Sequence, residues 1–479
     1  MQSSTASSFT SIAANRLVSR QPVSAEEVSK PADTPAPDRG LAFSGRSEAA
    51  CALARRAQAI IPGGSHTYAK GDDQFPEQAP AFLSRGLGCH VWDTDGNEFI
   101  EYGMGLRAVT LGHAFAPVLE AVARQLPLGT NFTRPAPIEL ECAERLLSLV
   151  PGAEMVKFCK DGSLANDAAI RLARAHTGRD MVAICGDHPF FSTNDWFIGT
   201  TEMPGGIPRW TREQTLKFRY NDIASLKQLF QEHPGQIACV MMEAERTEVP
   251  LAGYLRSVVD LCHRNGALFV LDEMITGFRW HLHGAQAMYD IEPDLSTFGK
   301  ALANGFAVSA LVGKREFMRL GGSDHDRERV FLLSTTHGAE THALAAAIAT
   351  MQFYETHPVV ETLHARGARL RQGYAQAAAA HGLTGYVDLM GRECNLLFTT
   401  KDAEKRPSQP FRTLFMQEMI RRGVIAPSLV VSYSHSEADI DRTIEAADAA
   451  FAVYARALSD GVEKQLEGRP VKPVFRRYA

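Results

Sequence analysis

The chain has 479 residues, 45% hydrophobic and 22% charged, the makeup of a globular protein long enough for two or three domains. Its net charge of −5 gives no electrostatic case for nucleic acid or for an anionic membrane surface, and no stretch reaches the ~18 apolar residues that a spanning helix needs. The eight cysteines stand singly without a CxxC pair, which argues against a zinc site or a disulfide framework and fits a reducing, cytoplasmic compartment.

Residues 1–45 read as a disordered extension. Few large hydrophobes could anchor it, and Pro31, Pro35 and Pro37 interrupt it. Its first stretch carries Arg16 and Arg20 and no acid, so organellar import is the alternative. Residues 47–60 predict an amphipathic helix that Pro62-Gly63-Gly64 ends. His90-Val91-Trp92 and Glu98-Phe99-Ile100 flank Asp93-Thr94-Asp95-Gly96-Asn97 and predict a β-hairpin. From about 138 to about 320 helices alternate with short apolar runs. The helices are Ile138–Leu149, Ala165–Ala175, Ile223–Gln231 and Leu255–Asn265. The strands are Met155–Cys159, Met181–Cys185, Ile237–Met242 and Leu268–Leu271. That alternation predicts βαβ units, a mostly parallel sheet and an α/β fold. Beyond about 340 come an Ala-rich helix, a strand over Cys394–Phe398, and helices over Phe411–Arg422 and Glu437–Leu458, a smaller α+β domain. The expected division is 1–45, 46–115 and 346–479 (the two parts of the small domain being the latter pair), and 116–345 for the large domain.

Two constellations carry chemistry. The first is the strand Leu268–Leu271 running into Asp272-Glu273, with Lys300 beyond it in Phe298-Gly299-Lys300-Ala301. A strand-end carboxylate lies where α/β proteins bind ligands. A lysine amine that condenses with an aldehyde and a carboxylate that keeps a pyridine nitrogen protonated are what pyridoxal 5′-phosphate (PLP) chemistry needs. Read alone, the same residues also fit a magnesium site and a solvated lysine. The second is Asp161-Gly162-Ser163, where a strand turns into a helix. Its free N–H groups and helix dipole suit a phosphate, although the turn could equally be a plain helix cap. It is no P-loop, since no Gly-Lys-Ser/Thr follows.

With the segment from Leu271-Asp272-Glu273-Met274-Ile275-Thr276-Gly277-Phe278-Arg279 to Gly299-Lys300, the chain resembles class III, fold-type I PLP enzymes. It is most similar to glutamate-1-semialdehyde 2,1-aminomutases and neighbouring aminotransferases. Further support comes from Ile61-Pro62-Gly63-Gly64, Leu111-Gly112-His113, Arg171–Arg179 and Ser434–Asp441. The resemblance covers roughly 47–460. It implies a Schiff-base role for Lys300 and a pyridinium-partner role for Asp272. It places Gly162 and Ser163 in the phosphate cup, Glu243 near the phenolic oxygen, and Thr336 on the phosphate of a neighbouring subunit, hence a homodimer with shared sites. The fold it implies is a large, mostly parallel-sheet domain with a small domain built from both chain ends. The activity it implies is transfer of an amino group from an amino-acid donor to a carbonyl acceptor, or intramolecular aminomutase chemistry.

The departures from the family pattern lie on the phosphate and substrate sides. Asp161 stands where the family has serine, and a carboxylate beside a phosphate is repulsive unless it turns away or caps the helix. The stacking aromatic is either His188 or Phe190. Arg107 replaces part of a glycine-tryptophan segment and reads equally as a carboxylate ligand or a structural ion-pair residue. His66, Tyr68 and Arg246 complete the substrate-side candidates.

Overall fold

The structure is a computed structural model that describes Phe43, residues 45–188 and residues 191–478. Thirteen strands are numbered in chain order. Leu83–Leu87 (β1), His90–Asp93 (β2) and Glu98–Glu101 (β3) form an antiparallel meander, joined in parallel by Val424–Ile425 (β13). The predicted hairpin is β2–β3. Asp93 closes its turn by accepting from the N–H groups of Asp95 and Asn97 at 2.9 and 2.8 Å.

The large sheet has seven strands: Met155–Cys159 (β4), Met181–Cys185 (β5), Thr215–Phe218 (β6), Ile237–Met242 (β7), Leu268–Asp272 (β8), Leu295–Phe298 (β9) and Ser309–Gly313 (β10). Their order is β4-β10-β9-β8-β7-β5-β6, and only β10 runs antiparallel to its neighbours. Strands β7 to β10 are buried along their whole length, as sheets covered on both faces require. The sequence pattern missed β6, β9 and β10. Each is a run of only four or five residues, and β9 leads straight into the Lys300 segment. In the register, Met242 pairs with Leu271, and Asp272 pairs with Thr297. Three successive strand ends therefore deliver Glu243, Asp272 and Lys300 to one edge.

A hairpin of Val387–Met390 (β11) and Leu397–Thr400 (β12) completes the strands. The strand expected over Cys394–Phe398 is corrected. A 3-10 turn occupies Glu393–Asn395 and the strand starts at Leu397. Asn395 is buried there with its side chain spent on Arg107, which an alternating strand would not permit. One hydrophobic cluster unites Cys89, Ile100 and Tyr102 with residues from Leu363 to Val462, so both chain ends build one core. The helix Thr341–Thr356 packs instead with Val118, Val122, Leu146 and the Ala301–Ala303 turn on the large-sheet side. Of the expected extension, residues 1–42 and 44 lie outside the described residues. Phe43 packs edge-on against Phe99, with ring centroids 5.3 Å apart. Among the described residues no helix is long and apolar enough to cross a membrane.

The helix Val359–Ala380 shows how tightly the C-terminal core is fitted. A Cβ at Gly367 would stand 1.9 Å from the backbone oxygen of Glu393. At Gly373 the atoms nearest a Cβ belong to the Ile444 side chain and not to backbone. Alanine gains about 1 kcal/mol of helix propensity at either position, but a backbone cannot step aside as a side chain can. Gly367→Ala is expected to destabilise by about 2 kcal/mol net, and by more than Gly373→Ala. Thermal unfolding of the two variants checks the order.

Candidate active site

Asp272 ends β8 and is 2% exposed. Its Oδ1 accepts from the Met274 N–H at 2.8 Å, and its Oδ2 accepts from Asn166 Nδ2 at 2.9 Å. Burial pushes its carboxyl pKa up, and the nearby charge of Lys300 pulls it back. The neighbouring Glu273 turns the other way. It accepts from Thr276 Oγ1 and from the N–H groups of Ala285 (3.0 Å) and Gln286 (2.8 Å), and so fixes the 273–286 loop. Of the Asp-Glu pair only Asp272 faces the site.

Lys300 sits in a left-handed backbone conformation, φ 40°, at the head of the 3-10 turn Lys300–Ala303. A long side chain at positive φ is strained and persists only where its surroundings impose it. Here they do. Gly299 is pressed between Ser309 and Met274, where a Cβ would stand 2.5 and 2.7 Å from their side chains, and Asn304 ties the end of the turn to Leu111 and Gly112. Burial lowers the Lys300 pKa, while Asp272 and Glu243 raise it. A lysine with a depressed pKa is a better nucleophile at neutral pH.

The phosphate turn resolves the question of Asp161. It caps the helix Gly162–Thr177, its Oδ1 accepting from the Leu164 N–H at 3.0 Å. The N–H groups of Gly162 and Ser163 have no acceptor within the helix and mark its positive end. Ser163 Oγ accepts from the Thr193 N–H at 3.0 Å, which leaves its hydroxyl hydrogen to donate. Thr336 is exposed on the far segment, where its carbonyl accepts from Asn131 Nδ2 at 2.8 Å. A bridge from Lys160 to Glu340 joins that segment to the phosphate turn.

His188, just past β5, is 3% exposed, with its ring tilted over Tyr220 at 4.6 Å. Burial and then Arg246 bring its pKa down to about 3, so it is a neutral ring at any physiological pH. Phe190 lies outside the described residues. Glu243 is 5% exposed, and its buried Oε2 has no hydrogen-bond partner among the described residues. Arg107 and Arg246 both act on Glu243 and Lys300 electrostatically. His66 and Tyr68 stand exposed on the 61–71 segment, and they are not among the groups that act on Lys300.

These residues fit PLP. A helix end and a hydroxyl suit its phosphate, a buried carboxylate suits its ring nitrogen, a flat neutral ring suits its face, and Lys300 suits its aldehyde. Glu243 Oε2 and His188 Nδ1 are both buried without a hydrogen-bond partner among the described residues, and Arg246 acts on both groups. Asn166 was missed in the sequence. It is 0% exposed in the middle of a helix that otherwise buries only apolar groups on that face, and a polar side chain inside such a stripe is the signal that could have found it.

Comparison with known proteins agrees. Residues 72–446 match the family Aminotransferase class-III. A glutamate-1-semialdehyde 2,1-aminomutase of Anaeromyxobacter sp. (strain Fw109-5) is 32% identical over 432 residues, covering 84% of this chain and 98% of that protein. The one from Desulforamulus reducens is 32% identical over 426 residues, covering 84% and 97%. Among solved structures, the PLP internal aldimine form of the FumI protein from Sphingopyxis sp. MTA144 superposes with TM-score 0.78 at 30% identity, covering 86% of this chain and 97% of that one. An omega-transaminase from Sphaerobacter thermophilus shares the fold, with TM-score 0.76 at 24% identity over 85% and 98%.

The state of Glu243 yields a pH prediction. Burial first, with Asp272 adding to it, raises its pKa to about 7 against the opposing pull of Arg246. The unfolded chain releases this proton near ~4.3. Between those values the native state binds more protons, so this group's contribution to stability falls as pH rises. Glu243→Gln removes that loss. The apoprotein variant is expected to gain on the order of 3 kcal/mol over wild type at pH 8 and almost nothing at pH 4.5, as checked by thermal unfolding across that range.

Proposed function

The chain belongs to the class-III aminotransferase family and is a PLP-dependent enzyme; from that premise we propose that it transfers an amino group from an amino-acid donor to a carbonyl acceptor, with Lys300 and Asp272 as the catalytic pair. The observation that carries the roles is the strained Lys300 turn opposite the buried Asp272.

When bound, PLP supplies an aldehyde for an amine and an electron sink for the substrate's α-carbon. Lys300 Nζ, whose pKa burial lowers, would be the amine that holds the aldehyde. As a free amine, Nζ would take the proton from the substrate's α-carbon and return it at the neighbouring position. Asp272, fixed by Asn166 and the Met274 N–H, holds the ring-nitrogen proton. The N–H groups of Gly162 and Ser163 and the Ser163 hydroxyl hold the phosphate. His188, or Phe190 as the sequence-based alternative, would cover the ring face, and Glu243 would stand on its phenolic side. Thr336 reaches the phosphate of a second copy, in a homodimer with shared sites. Its exposure beside exposed Phe331 and Phe132 supports that reading. A cytoplasmic location belongs to the same reading, supported by the scattered free thiols.

A second reading is an intramolecular aminomutase, favoured by relatives of that name at 32% identity. A transaminase needs two substrates and releases an oxo product, whereas a mutase needs one and releases none. The purified protein is expected to show a visible PLP absorbance band that fades on adding the amino donor, with stoichiometric release of its oxo acid. Lys300→Ala is expected to lose the band's response and to lower turnover by at least about a thousandfold. A band that fades with no released oxo acid would favour the mutase. Absence of any band in wild type supplied with PLP would overturn the assignment.

A further inference from the structure

In the core that both chain ends share, three groups of metal-binding type come together. Among the described residues, Cys89, His90 and Asp439 each bring one ligand atom to within 4.8 Å of the others. Cysteine spacing alone argues against a zinc site, because the usual sequence signals are pairs. Here the fold joins residues 349 positions apart, from the head of β2 and from the first turn of the helix Glu437–Asp460.

Asp439 is fixed by its own helix. Its Oδ2 accepts from the Ser436 N–H at 2.8 Å and from the Ser436 hydroxyl at 2.6 Å, which caps the helix. Its Oδ1 accepts from His90 Nε2 at 3.1 Å, and Cys89 Sγ stands 3.4 Å from Oδ2. Neighbouring residues of a regular strand point to opposite faces. Gly88, at φ 59°, bends the chain just before Cys89, and both side chains reach one carboxylate. The other ring nitrogen of His90 pairs with Glu98 Oε1 at 2.9 Å. A carboxylate on the second nitrogen is the arrangement that orients an imidazole toward a metal. Cys89 is 1% exposed and Asp439 7%, whereas the His90 side chain is 24% exposed, so an ion has a way in.

A second observation comes from His435. It is fully buried, its Nδ1 accepts from the Ser432 N–H at 2.9 Å, and burial brings its pKa down to about 3. The ring is therefore neutral and carries its hydrogen on Nε2. That atom has no hydrogen-bond partner among the described residues, while Asp439 and His90 both act on the ring. A buried donor left unpaired beside such a cluster marks a place for an ordered ion or its water. The plainer alternative is a hydrogen-bonded seam between strand and helix. It leaves His435 Nε2 unsatisfied, and it spends a thiol, a weak donor, on a carboxylate that the helix cap already occupies.

We propose that Cys89, His90 and Asp439 form a site for one divalent ion of the zinc type, held by Sγ, Nε2 and Oδ1 with water in the fourth position, and that the ion clamps β2 to the helix Glu437–Asp460. Thiolate, imidazole and carboxylate together suit zinc, whereas magnesium and calcium take oxygen ligands. On binding, three bonds to the metal form, and the protons of the Cys89 thiol and of His90 Nε2 leave to solvent. Burial, with Asp439 adding to it, pushes the thiol pKa up, so Cys89 is no nucleophile of its own; a coordinated metal takes its proton outright. None of the three is among the groups that act on Lys300 or Asp272. The clamp is thus separate from the cofactor chemistry.

The test uses the PLP-loaded full chain, stripped with a chelator and then given zinc chloride. Wild type is expected to keep one zinc per chain through gel filtration and to melt several degrees above the stripped chain. Cys89→Ser and His90→Gln are expected to lose both responses, and Glu98→Gln to weaken zinc binding by about 10- to 100-fold. Cobalt(II) in place of zinc is expected to give a thiolate-to-metal absorption that Cys89→Ser lacks. The visible PLP band is expected to be the same with and without zinc. If Cys89→Ser does not fold, His90→Gln, at the half-exposed position, and the cobalt absorption decide. No zinc kept by wild type, no cobalt–thiolate absorption, or equal retention by the variants (an adventitious ion only) would overturn the proposal.

Discussion

Everything at this site hangs on one buried carboxylate and the means by which it stays in place. Asp272 sits at the carboxyl edge of a seven-stranded sheet with both oxygens occupied, one by its own loop and one by Asn166 from the helix across the site. An ionised carboxylate so deep is costly unless it is paired and hydrogen-bonded. The nearby charge of Lys300 offsets part of that cost. Asn166 also binds the Phe191 carbonyl, so the same amide couples the carboxylate to the segment that follows the stacking candidates.

Strain is concentrated around this centre. Lys300, Asn304, Phe278 and the 104–107 turn all hold positive φ without being glycine. None of these is offset locally. Two of them lean on buried side-chain hydrogen bonds: Asn304 on the backbone of Leu111 and Gly112, and the 104–107 turn on Arg279. The sheet is apolar and regular, while the loops at its edge are irregular and polar. That division lets a rigid scaffold fix side chains within tenths of an ångström.

Much of this was legible in the sequence because the chemistry lives at strand ends. An apolar run that stops at Asp272 and a lysine between glycine and a small-residue turn are local patterns, and so is a strand–turn–helix at Gly162. What was not legible depends on distant partners. At Asp161 the sequence leaves a helix cap and a residue facing a phosphate both open, and the contact with the Leu164 N–H decides for the cap. Nothing near Asn395 says that it meets Arg107, and the apolar residues around it suggested a strand through that position. Strands β6, β9 and β10 were missed because central strands of a parallel sheet show no alternation and β6 is only four residues long.

The pairing of support and function has a consequence for how such an enzyme can diversify. Asp272 and Lys300 are rooted in the sheet edge and Asn166 in the helix Gly162–Thr177, whereas Arg107 and the segment that bears Arg246 are held by residues 391–395 in the connection between β11 and β12. A change of sequence in that connection would re-aim the arginines and leave the hydrogen bonds of Asp272 in place. The two sets of side chains are thus inherited from different stretches of the chain, and one can drift while the other is held.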